Sequence, residues 1–368
     1  MRAPGRQAGS SAAATKPGAA RPVYAALDGL RGIAALLVVL YHAEFVMGFA
    51  LVPNGYLAVD LFFAISGVVI AHAYDARLSA GLGTGRFAMM RILRFWPLYL
   101  LGLVLGLAAK LAQAAAGDPH AMAPWEMGAS FLLNALFLPA LFPTYGNVLF
   151  PLNPVSWSLF FELLVNILYA CFLPLLSRRT VGWLALLSGA GFAVAAALHG
   201  TTNVGWSSTQ IWLGLARAVF SFSAGIWIVR AGIRAPSLPF WLLAGLVALF
   251  LCVPVAPAAR PWLTLGFILL ASPAIVALGM TASVPAAMMR VTAWLGAISY
   301  ALYAVHKPIL SLARLVNAQV GAPGPVAAAL CMALLCLLCG LLDRHYDGPA
   351  RRWIGGRLGL ARPRLRTA

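Results

Sequence analysis

The chain has 368 residues, of which 62% are hydrophobic and 10% are charged, and its formal net charge is +17. A soluble domain of this length needs more polar surface, so the composition excludes an ordinary globular protein and indicates that lipid covers much of the exterior. The positive charges lie in short segments between apolar runs, where membrane proteins carry the charges that set their orientation. The lipid bilayer is therefore an expected partner, and nucleic acid is not.

The apolar runs predict an all-α polytopic membrane protein. A helix needs about 20 residues to cross ~30 Å of hydrocarbon. Ten runs approach or exceed that length, near 27–48, 56–74, 95–113, 155–176, 182–199, 207–229, 238–255, 262–280, 294–316 and 325–343. We therefore expect about ten transmembrane helices.

Loop charge predicts the orientation and decides how a shorter apolar run, near 128–142, is used. Arg2, Arg6, Lys16 and Arg21 place the N-terminus in the cytoplasm. If the short run crossed the bilayer, every later basic loop would lie on the outer side. We therefore interpret it as a re-entrant or interfacial helix, with both termini of the chain cytoplasmic.

The chain is predicted to consist of one membrane domain between two basic tails. Residues 1–24 lack the apolar stretch of a signal peptide and are interpreted as a disordered basic tail. Residues 25–345 are expected to form the transmembrane domain, and residues 346–368 a basic cytoplasmic tail. No appended soluble domain is expected.

The five cysteines lie in or at the ends of apolar segments. Cys336 and Cys339 form a CxxC pair, a spacing that can bind metal or carry redox chemistry. No matching pair of His or Cys lies nearby in the sequence, so we interpret the cysteines as small apolar packing residues. No metal site is predicted.

Ionisable side chains within a span are costly and are candidate functional residues. The first span carries Arg31 near its cytoplasmic end and His42, eleven residues later, toward its outer end. At 100° per residue both side chains share one helix face, about 16 Å apart along the axis. The alternatives are a topological anchor for Arg31 and a hydrogen-bonded buried histidine for His42.

Asp60 lies near the outer end of the second span, at a depth that matches His42 in an antiparallel hairpin. A carboxylate beside an imidazole orients the ring and raises its basicity, as a general base requires. We therefore expect Asp60 to orient His42. The alternative is a structural ion pair.

Glu162 lies in the segment NPVSWSLFFELLVN (153–166), roughly 10 Å below the outer surface. It has no basic neighbour in its own helix, so we expect a partner from another helix, with His42 and Arg217 as candidates. Ser66, in LFFAISG, is interpreted as a helix-packing serine rather than a nucleophile.

Two further groups of polar residues stand out. Arg91 and Arg94, predicted in a cytoplasmic loop, share a helix face at i and i+3. Paired guanidinium groups at the cytoplasmic mouth suit a phosphate-rich ligand, and the alternative is ordinary positive-inside charge. His306 and Lys307 precede Pro308 in a later span and are candidates for a kinked polar site.

The chain resembles the acyltransferase-3 family of bacterial membrane acyltransferases, which modify polysaccharides, peptidoglycan and some small molecules. Five segments carry the resemblance in the family's order: LDGLRGIAALLVVLYH (27–42), GYLAVDLFFAISG (55–67), RFAMMRILRFWPLY (86–99), NPVSWSLFFELL (153–164) and ISYALYAVHKPIL (298–310). The family's core is described as ten spans, in agreement with the count reached from loop charge.

The resemblance implies roles for individual residues. The family's Arg-x10-His motif falls on Arg31 and His42, with His42 the expected catalytic base, and its acidic position in the second span falls on Asp60. Its Arg-x-x-Arg motif, associated with the acyl donor, falls on Arg91 and Arg94. We further expect Asp60 and Glu162 to act with His42 in catalysis, and Arg31 to help bind the donor. Its Trp-Ser-Leu-x-x-Glu pattern falls on Trp157, Ser158, Leu159 and Glu162. From these positions we expect Trp157 and Ser158, together with His306 of the later span, to bind substrate.

These expectations combine into one hypothesis. Acyl-CoA is the donor and no metal is required. His42 either deprotonates a hydroxyl of a cell-surface carbohydrate or small molecule, or carries the acyl group covalently, in the bacterial cytoplasmic (inner) membrane. The first alternative is a proton-coupled secondary transporter that uses His42, Asp60 and Glu162 as a relay. The second is a structural or polymerase-like membrane scaffold.

Overall fold

The computed structural model describes residues 24–142 and 145–360, so residues 1–23 of the predicted basic tail lie outside the described part. The helices follow in the order α1 (Ala25–His42), α2 (Glu44–Met47), α3 (Ala58–Ser79), α4 (Thr84–Ala115), α5 (Pro124–Ala135), α6 (Ser156–Phe172), α7 (Arg178–His199), α8 (Ile211–Arg230), α9 (Phe240–Cys252), α10 (Arg260–Gly266), α11 (Ser272–Thr281), α12 (Met289–Val320), α13 (Gly324–Leu342) and α14 (Gly348–Arg357). A π-helical turn at Phe267–Ala271 joins α10 to α11, and another at Asp343–Asp347 joins α13 to α14.

Within the described part, nine helices are long and apolar enough to cross a membrane. This confirms the prediction of an all-α polytopic membrane protein. In an apolar 18-residue stretch of α7, only 22% of the residues are buried within the protein. The same fraction is 72% for the helix at Gly55–Ser79. The outward side chains of α7 are apolar, with Leu198 83% exposed. α7 is therefore a lipid-facing helix, whereas α3 belongs to the interior.

Two shorter helices occupy apolar runs of the sequence. The run predicted near 238–255 contains α9, whose 13 residues rise about 20 Å. The run near 128–142 overlaps α5, whose 12 residues rise about 18 Å, less than the ~30 Å of a hydrocarbon core. Glu126 closes the first turn of α5 by accepting a hydrogen bond from the Ala123 N–H at 3.0 Å. The helix is too short to span, in line with a re-entrant or interfacial position.

Glycines bring the interior helices into close contact. A Cβ on Gly32 of α1 would lie 2.4 Å from the Leu295 Cβ of α12. A Cβ on Gly67 of α3 would lie 2.1 Å from the Phe222 carbonyl oxygen of α8. Small residues at such crossings let helix backbones approach each other within a membrane. The pairs α1–α12 and α3–α8 therefore form the centre of the protein.

The third long helix begins earlier than predicted. We expected a loop up to residue 94, but α4 starts at Thr84, so Arg91 and Arg94 are helical residues near its start. Hydropathy assigns this arginine-rich stretch to a loop, whereas arginine, methionine and leucine all favour the helix. Phe87 is fully buried and fixes this first part of α4 to the protein.

Part of the predicted C-terminal tail is helical. α14 packs on the start of α4, where a Cβ on Gly355 would lie 3.2 Å from a side-chain carbon of Leu93. Arg86 Nη2 also donates a hydrogen bond to the Gly359 carbonyl oxygen at 3.3 Å. This segment therefore adds a helix beside the arginines of α4.

Candidate active site

A cavity with an empty volume of about 780 Å³, part of it open to solvent, lies between α1, α3, α4, α6 and α12. Its polar lining consists of Arg31, Ser66, Arg91, Arg94, Ser158, Glu162, Ser299, Tyr300 and Tyr303. All three arginines predicted to bind the donor therefore lie around one cavity. Of the predicted catalytic residues, Glu162 lines it, whereas His42 and Asp60 lie elsewhere.

Glu162 lies at the centre of the lining. Its Oε1 accepts a hydrogen bond from Ser66 Oγ at 2.7 Å and lies 3.5 Å from Arg91 Nη2. The prediction that His42 or Arg217 pairs with Glu162 is therefore wrong. The cation beside Glu162 comes from α4, not from α1 or α8. Ser66 is more than a packing serine, since its hydroxyl orients the carboxylate.

Arg91 is held in the cavity wall by several contacts. Its side chain is 11% exposed, and its guanidinium carbon lies 5.1 Å from the centre of the Phe95 ring. Arg91 therefore lines the cavity as a largely buried cation whose guanidinium group is held between Glu162 and Phe95.

Arg31 is fixed against α12. Its Nε donates to Ser299 Oγ at 3.0 Å, its Nη2 donates to the Gly296 carbonyl oxygen at 2.9 Å, and its Nη2 pairs with Asp28 at 3.1 Å. These contacts explain why Arg31 is ordered at the cavity rather than extended toward solvent. It is thus more than the topological anchor that the sequence also allowed.

Arg94 lies on the side of the cavity nearest α14. Its guanidinium carbon lies 5.4 Å from the centre of the Tyr300 ring, and its Nη1 lies 3.9 Å from Asp347 Oδ2. The same Asp347 oxygen pairs with Arg351 at 2.6 Å. Positive charge therefore continues from the cavity to the terminal helix.

Two hydroxyl groups form the deeper end of the cavity. Ser158 Oγ and the Tyr303 hydroxyl are 2.5 Å apart, and each is within 3.2 Å of the Val155 carbonyl oxygen. Ser158 was predicted to bind substrate, and its position in the lining is compatible with that role. The Tyr303 ring packs edge-on against Phe62, which holds it across the cavity floor.

The two predicted histidines meet beyond Tyr303. His306, three residues after Tyr303 on α12, is fully buried, and its Nε2 lies 3.1 Å from His42 Nδ1. The Tyr303 and His306 ring centres are 5.9 Å apart. Neither histidine is among the cavity-lining residues. Because His306 follows Tyr303 along α12, the pair lies next to the Tyr303 end of the cavity.

Asp60 does not orient His42, and that prediction is wrong. Both oxygens of Asp60 accept hydrogen bonds from Arg217, at 2.8 and 2.5 Å, and Ser221 Oγ donates to Oδ1 at 3.3 Å. Arg217 Nη2 also donates to the Tyr56 carbonyl oxygen at 3.0 Å. The structural ion pair, which was the alternative, is what the structure shows.

Trp157 belongs to the surroundings of that ion pair. The Arg217 guanidinium carbon lies 5.8 Å from the Trp157 ring centre, and the ring also packs against Gly205.

The residues of the alternative proton relay have separate partners: Asp60 binds Arg217, Glu162 binds Ser66 and Arg91, and His42 binds His306. They do not form one connected chain of hydrogen bonds.

Sequence reasoning missed the contribution of α12. Ser299 and Tyr303 lie in the lining, and His306 follows them at a spacing of three to four residues, which places all three on one helix face. The signal was present in ISYALYAVHKPIL (298–310), where polar side chains recur at the helical period. Of this segment, only His306 and Lys307 are proposed as candidate site residues from the sequence.

The cysteines are free thiols in the described part of the chain. Cys331 and Cys339 are buried in the main apolar core, and Cys252 and Cys336 pack against it. Their interpretation as apolar packing residues is thus confirmed for these four. Among the described residues no group of three or more His, Cys, Asp or Glu side chains is placed to hold a metal ion.

Comparison with known proteins adds family information to this geometry. The acyltransferase-3 family model, described as an acyltransferase domain, matches residues 24–344. The match includes every residue of the cavity lining and both histidines. No solved structure matches the chain significantly.

Three curated proteins are similar in sequence. "Protein 2 in picA locus" of Rhizobium radiobacter is 44% identical over 153 residues, which are 39% of this chain and 79% of that protein. "Putative peptidoglycan O-acetyltransferase YrhL" of Bacillus subtilis (strain 168) is 25% identical over 88% of this chain and 54% of its own length. "Putative membrane-bound transacylase BcsY" of Komagataeibacter xylinus is 26% identical over 78% of this chain and 73% of its own length.

Proposed function

Because the chain belongs to the acyltransferase-3 family and is a membrane O-acyltransferase, we propose that it transfers a short acyl group, such as acetyl, from acyl-CoA. The acceptor is a hydroxyl group of a cell-surface carbohydrate or a similar molecule. The donor binds from the cytoplasmic side of a bacterial inner membrane, and His42 is the catalytic base.

The observation that carries this proposal is a polar path through the centre of the helices. Arg31, Arg91 and Arg94 surround the mouth of the cavity, which we assign to the cytoplasmic side. Ser158 and Tyr303 form the opposite, inner end of the cavity. The His42–His306 pair follows directly behind Tyr303. A phosphate-binding end and a basic end are thus joined by one line of polar side chains.

The three arginines suit the phosphates of coenzyme A. Guanidinium groups bind phosphate oxygens through two parallel hydrogen bonds and remain charged when buried. Arg31 and Arg91 are held in place by Ser299, Glu162 and Asp28, so little side-chain freedom is lost when the donor binds. The phosphates occupy this mouth, and the acyl thioester extends inward toward Tyr303.

The thioester passes Tyr303 to reach His42, which removes the proton from the acceptor hydroxyl as the hydroxyl oxygen attacks the thioester carbonyl carbon. The tetrahedral intermediate collapses, the carbon–sulfur bond breaks, and the leaving thiolate takes the proton from the His42 imidazolium. General base catalysis of this kind contributes about 10²–10⁴-fold to the rate. Ser158 contacts the acyl group, and Asp60 supports the fold through Arg217.

The class of acceptor rests on the relatives. One similar protein is named as a peptidoglycan O-acetyltransferase and another as a membrane-bound transacylase. Both names describe acyl transfer, and the first names peptidoglycan, which contains carbohydrate hydroxyl groups, as the acceptor. A carbohydrate hydroxyl is therefore the first acceptor to test.

The experiment is release of free CoA by purified protein in liposomes, with acyl-CoA donors of two to eight carbons (roughly the short-chain range) and a peptidoglycan or polysaccharide fragment as acceptor. Wild type is expected to release CoA and acylate the acceptor.

His42→Ala is expected to lose at least about 100-fold in rate. His199→Ala, which changes an exposed histidine at the end of α7, is the matched control and is expected to match wild type. Retained activity in His42→Ala, or no CoA release by wild type with any donor, contradicts the proposal.

A further inference from the structure

The contact between His42 and His306 determines which nitrogen of each ring carries hydrogen. His306 Nδ1 lies 2.9 Å from the Leu302 carbonyl oxygen and 3.0 Å from that of Tyr303. Carbonyl oxygens only accept, so His306 Nδ1 must be the N–H of this ring. Its Nε2, which faces His42, is then the lone-pair nitrogen of a neutral imidazole.

The same reasoning applies to His42. Its Nδ1 lies 3.1 Å from the Val38 carbonyl oxygen and 3.1 Å from His306 Nε2. Both neighbours are acceptors, so Nδ1 of His42 carries the hydrogen and donates it. Nε2 of His42 is therefore the nitrogen with a free lone pair, the form in which a histidine accepts a proton.

From this geometry we propose that His306 is a positioning residue for the catalytic base. By accepting the hydrogen bond from His42 Nδ1, it fixes the ring so that Nε2 is the atom that receives the acceptor's proton. The inference rests on the proposed function and adds a specific role for His306 in it. Catalytic histidines commonly have a third group that orients them, usually a carboxylate or carbonyl oxygen; here a second imidazole takes that place.

His306 is suited to this role because it ties the ring to a neighbouring helix. Val38 lies on α1 with His42, so its carbonyl cannot position the ring relative to the cavity wall formed by α12. His306 is rigid: it is fully buried, and its own Nδ1 is anchored to the α12 backbone. The connection also couples the base to Tyr303, which precedes His306 by less than one turn.

The backbone of α12 is adapted at this point. Pro308 has no N–H, so it cannot donate to the Ala304 carbonyl oxygen four residues earlier. Asn153 Nδ2 supplies that bond instead, at 2.8 Å, from the segment before α6. The helix therefore continues past Pro308 in an α-helical form, with His306 held opposite His42.

The test compares two substitutions at position 306 with different hydrogen-bonding capacity. His306→Gln keeps an oxygen that can accept from His42 Nδ1–H, whereas His306→Leu has no acceptor. His306→Leu is expected to lower kcat by about 100-fold, within the range of general base catalysis, and to leave KM for acyl-CoA within about two-fold, because the donor arginines are untouched. His306→Gln is expected to recover at least about one-tenth of wild-type kcat.

A purely structural role predicts a different pattern, in which both variants lose thermal stability and activity together. Equal kcat in His306→Leu and wild type, or equal losses in the Leu and Gln variants at wild-type thermal stability, overturns the proposal. Failure of the proposed function is distinguishable, since it appears as full activity in His42→Ala whatever stands at position 306.

A second measurement does not depend on turnover. The chain has 6 histidines, so ¹⁵N labelling of histidine and solid-state NMR in liposomes can resolve individual rings by their loss in single His variants. Wild type is expected to show His42 as the Nδ1–H form, assigned by comparison with His42→Ala. An Nε2–H form of His42 in wild type contradicts the proposal directly.

Discussion

Arg217 of α8 donates two hydrogen bonds to the carboxylate of Asp60 of α3, at 2.8 and 2.5 Å, and neither side chain has any exposed surface. Ser221 donates to the same carboxylate, and the Tyr56 carbonyl accepts from the guanidinium. Both charges are therefore paired and hydrogen-bonded, as buried charges must be. The pair joins α3 to α8 close to the site but does not contact His42.

Asp60→Asn is expected to destabilise the protein before it affects chemistry. The substitution leaves Arg217 buried without its counter-charge, and removal of one partner of such a pair typically costs about 3–5 kcal/mol. We therefore expect a lower thermal unfolding temperature in detergent, together with reduced yield of folded protein. Fluorescence-detected size-exclusion chromatography after a heating series measures both the unfolding temperature and the yield of folded protein.

Two variants separate this structural role from a catalytic one. Asp60→Asn combined with Arg217→Met removes both charges and is expected to recover part of the lost stability. Asp118→Asn, in an exposed segment, is the matched control and is expected to behave as wild type. A stable Asp60→Asn protein without activity would instead assign Asp60 to the chemistry.

Gly32→Ala is expected to disturb both ends of the site at once. The new Cβ would lie 2.4 Å from Leu295 Cβ and 2.7 Å from the Leu295 backbone, so α1 and α12 must separate. Overpacking of this kind costs about 1–3 kcal/mol. Because Arg31 contacts Ser299 and His42 contacts His306 across the same interface, we expect at least about a ten-fold loss of kcat/KM, or ~1.4 kcal/mol.

The matched control for that substitution is Gly245→Ala. Gly245 is an exposed glycine of α9, and a Cβ there meets no atom within 4 Å. It is expected to retain activity and to gain slightly in helix stability. Equal losses of kcat/KM in the two variants would show that separation of α1 from α12 is not the cause of the loss.

Much of the fold could be predicted because each membrane helix satisfies its own backbone hydrogen bonds. Length and hydropathy therefore identify the helices one by one, without knowledge of their neighbours. The shared face of Arg31 and His42 followed from the helical period, and both side chains do contact α12. The start of α4 was missed because hydropathy records where lipid begins, not where the helix begins.

The partners of the buried charges could not be predicted in the same way. Depth along a span placed Asp60 level with His42, but depth does not specify the direction in which a side chain points around its helix. Arg217, the true partner, lies 157 residues away on another helix. Glu162 was misassigned for the same reason, since its cation, Arg91, was placed in a loop. Pairing depends on helix packing, which one sequence does not record.

Asp347→Asn is expected to weaken donor binding without changing the chemistry. Asp347 is 1% exposed, pairs with Arg351 at 2.6 Å and lies 3.9 Å from Arg94. Loss of its charge releases Arg94 from the turn before α14, so we expect KM for acyl-CoA to rise by about three- to ten-fold, with kcat within about two-fold of wild type. Initial-rate kinetics measure both. Asp343→Asn, in the same turn but without a charge partner at Arg94, is the control, and an equal rise in KM there would contradict the coupling.

Arg91→Met and Arg94→Met are expected to raise KM for acyl-CoA by at least about ten-fold each, because each removes a charged hydrogen-bond donor to phosphate. The sharpest comparison uses a donor without phosphates, the acyl thioester of N-acetylcysteamine. With that donor Arg94→Met is expected to match wild type, since the inner end of the cavity and His42 are unchanged. Arg91→Met is expected to lose less activity than it does with acyl-CoA, although it also removes the cation beside Glu162. Arg178→Met, at the start of α7, controls for loss of positive charge at the membrane surface.

Salt provides an independent check on the same contacts. Screening weakens charge pairs that are open to solvent, so KM for acyl-CoA of wild type is expected to rise with ionic strength. The rise should be smaller in Arg91→Met and Arg94→Met, which have lost a charged contact, and absent with the N-acetylcysteamine thioester. If the variants impair both donors equally, the arginines act on the acyl group or on the fold and not on the phosphates. In that case the donor's nucleotide end must bind elsewhere, and the arginines around this cavity serve to hold Glu162 and α12 in place.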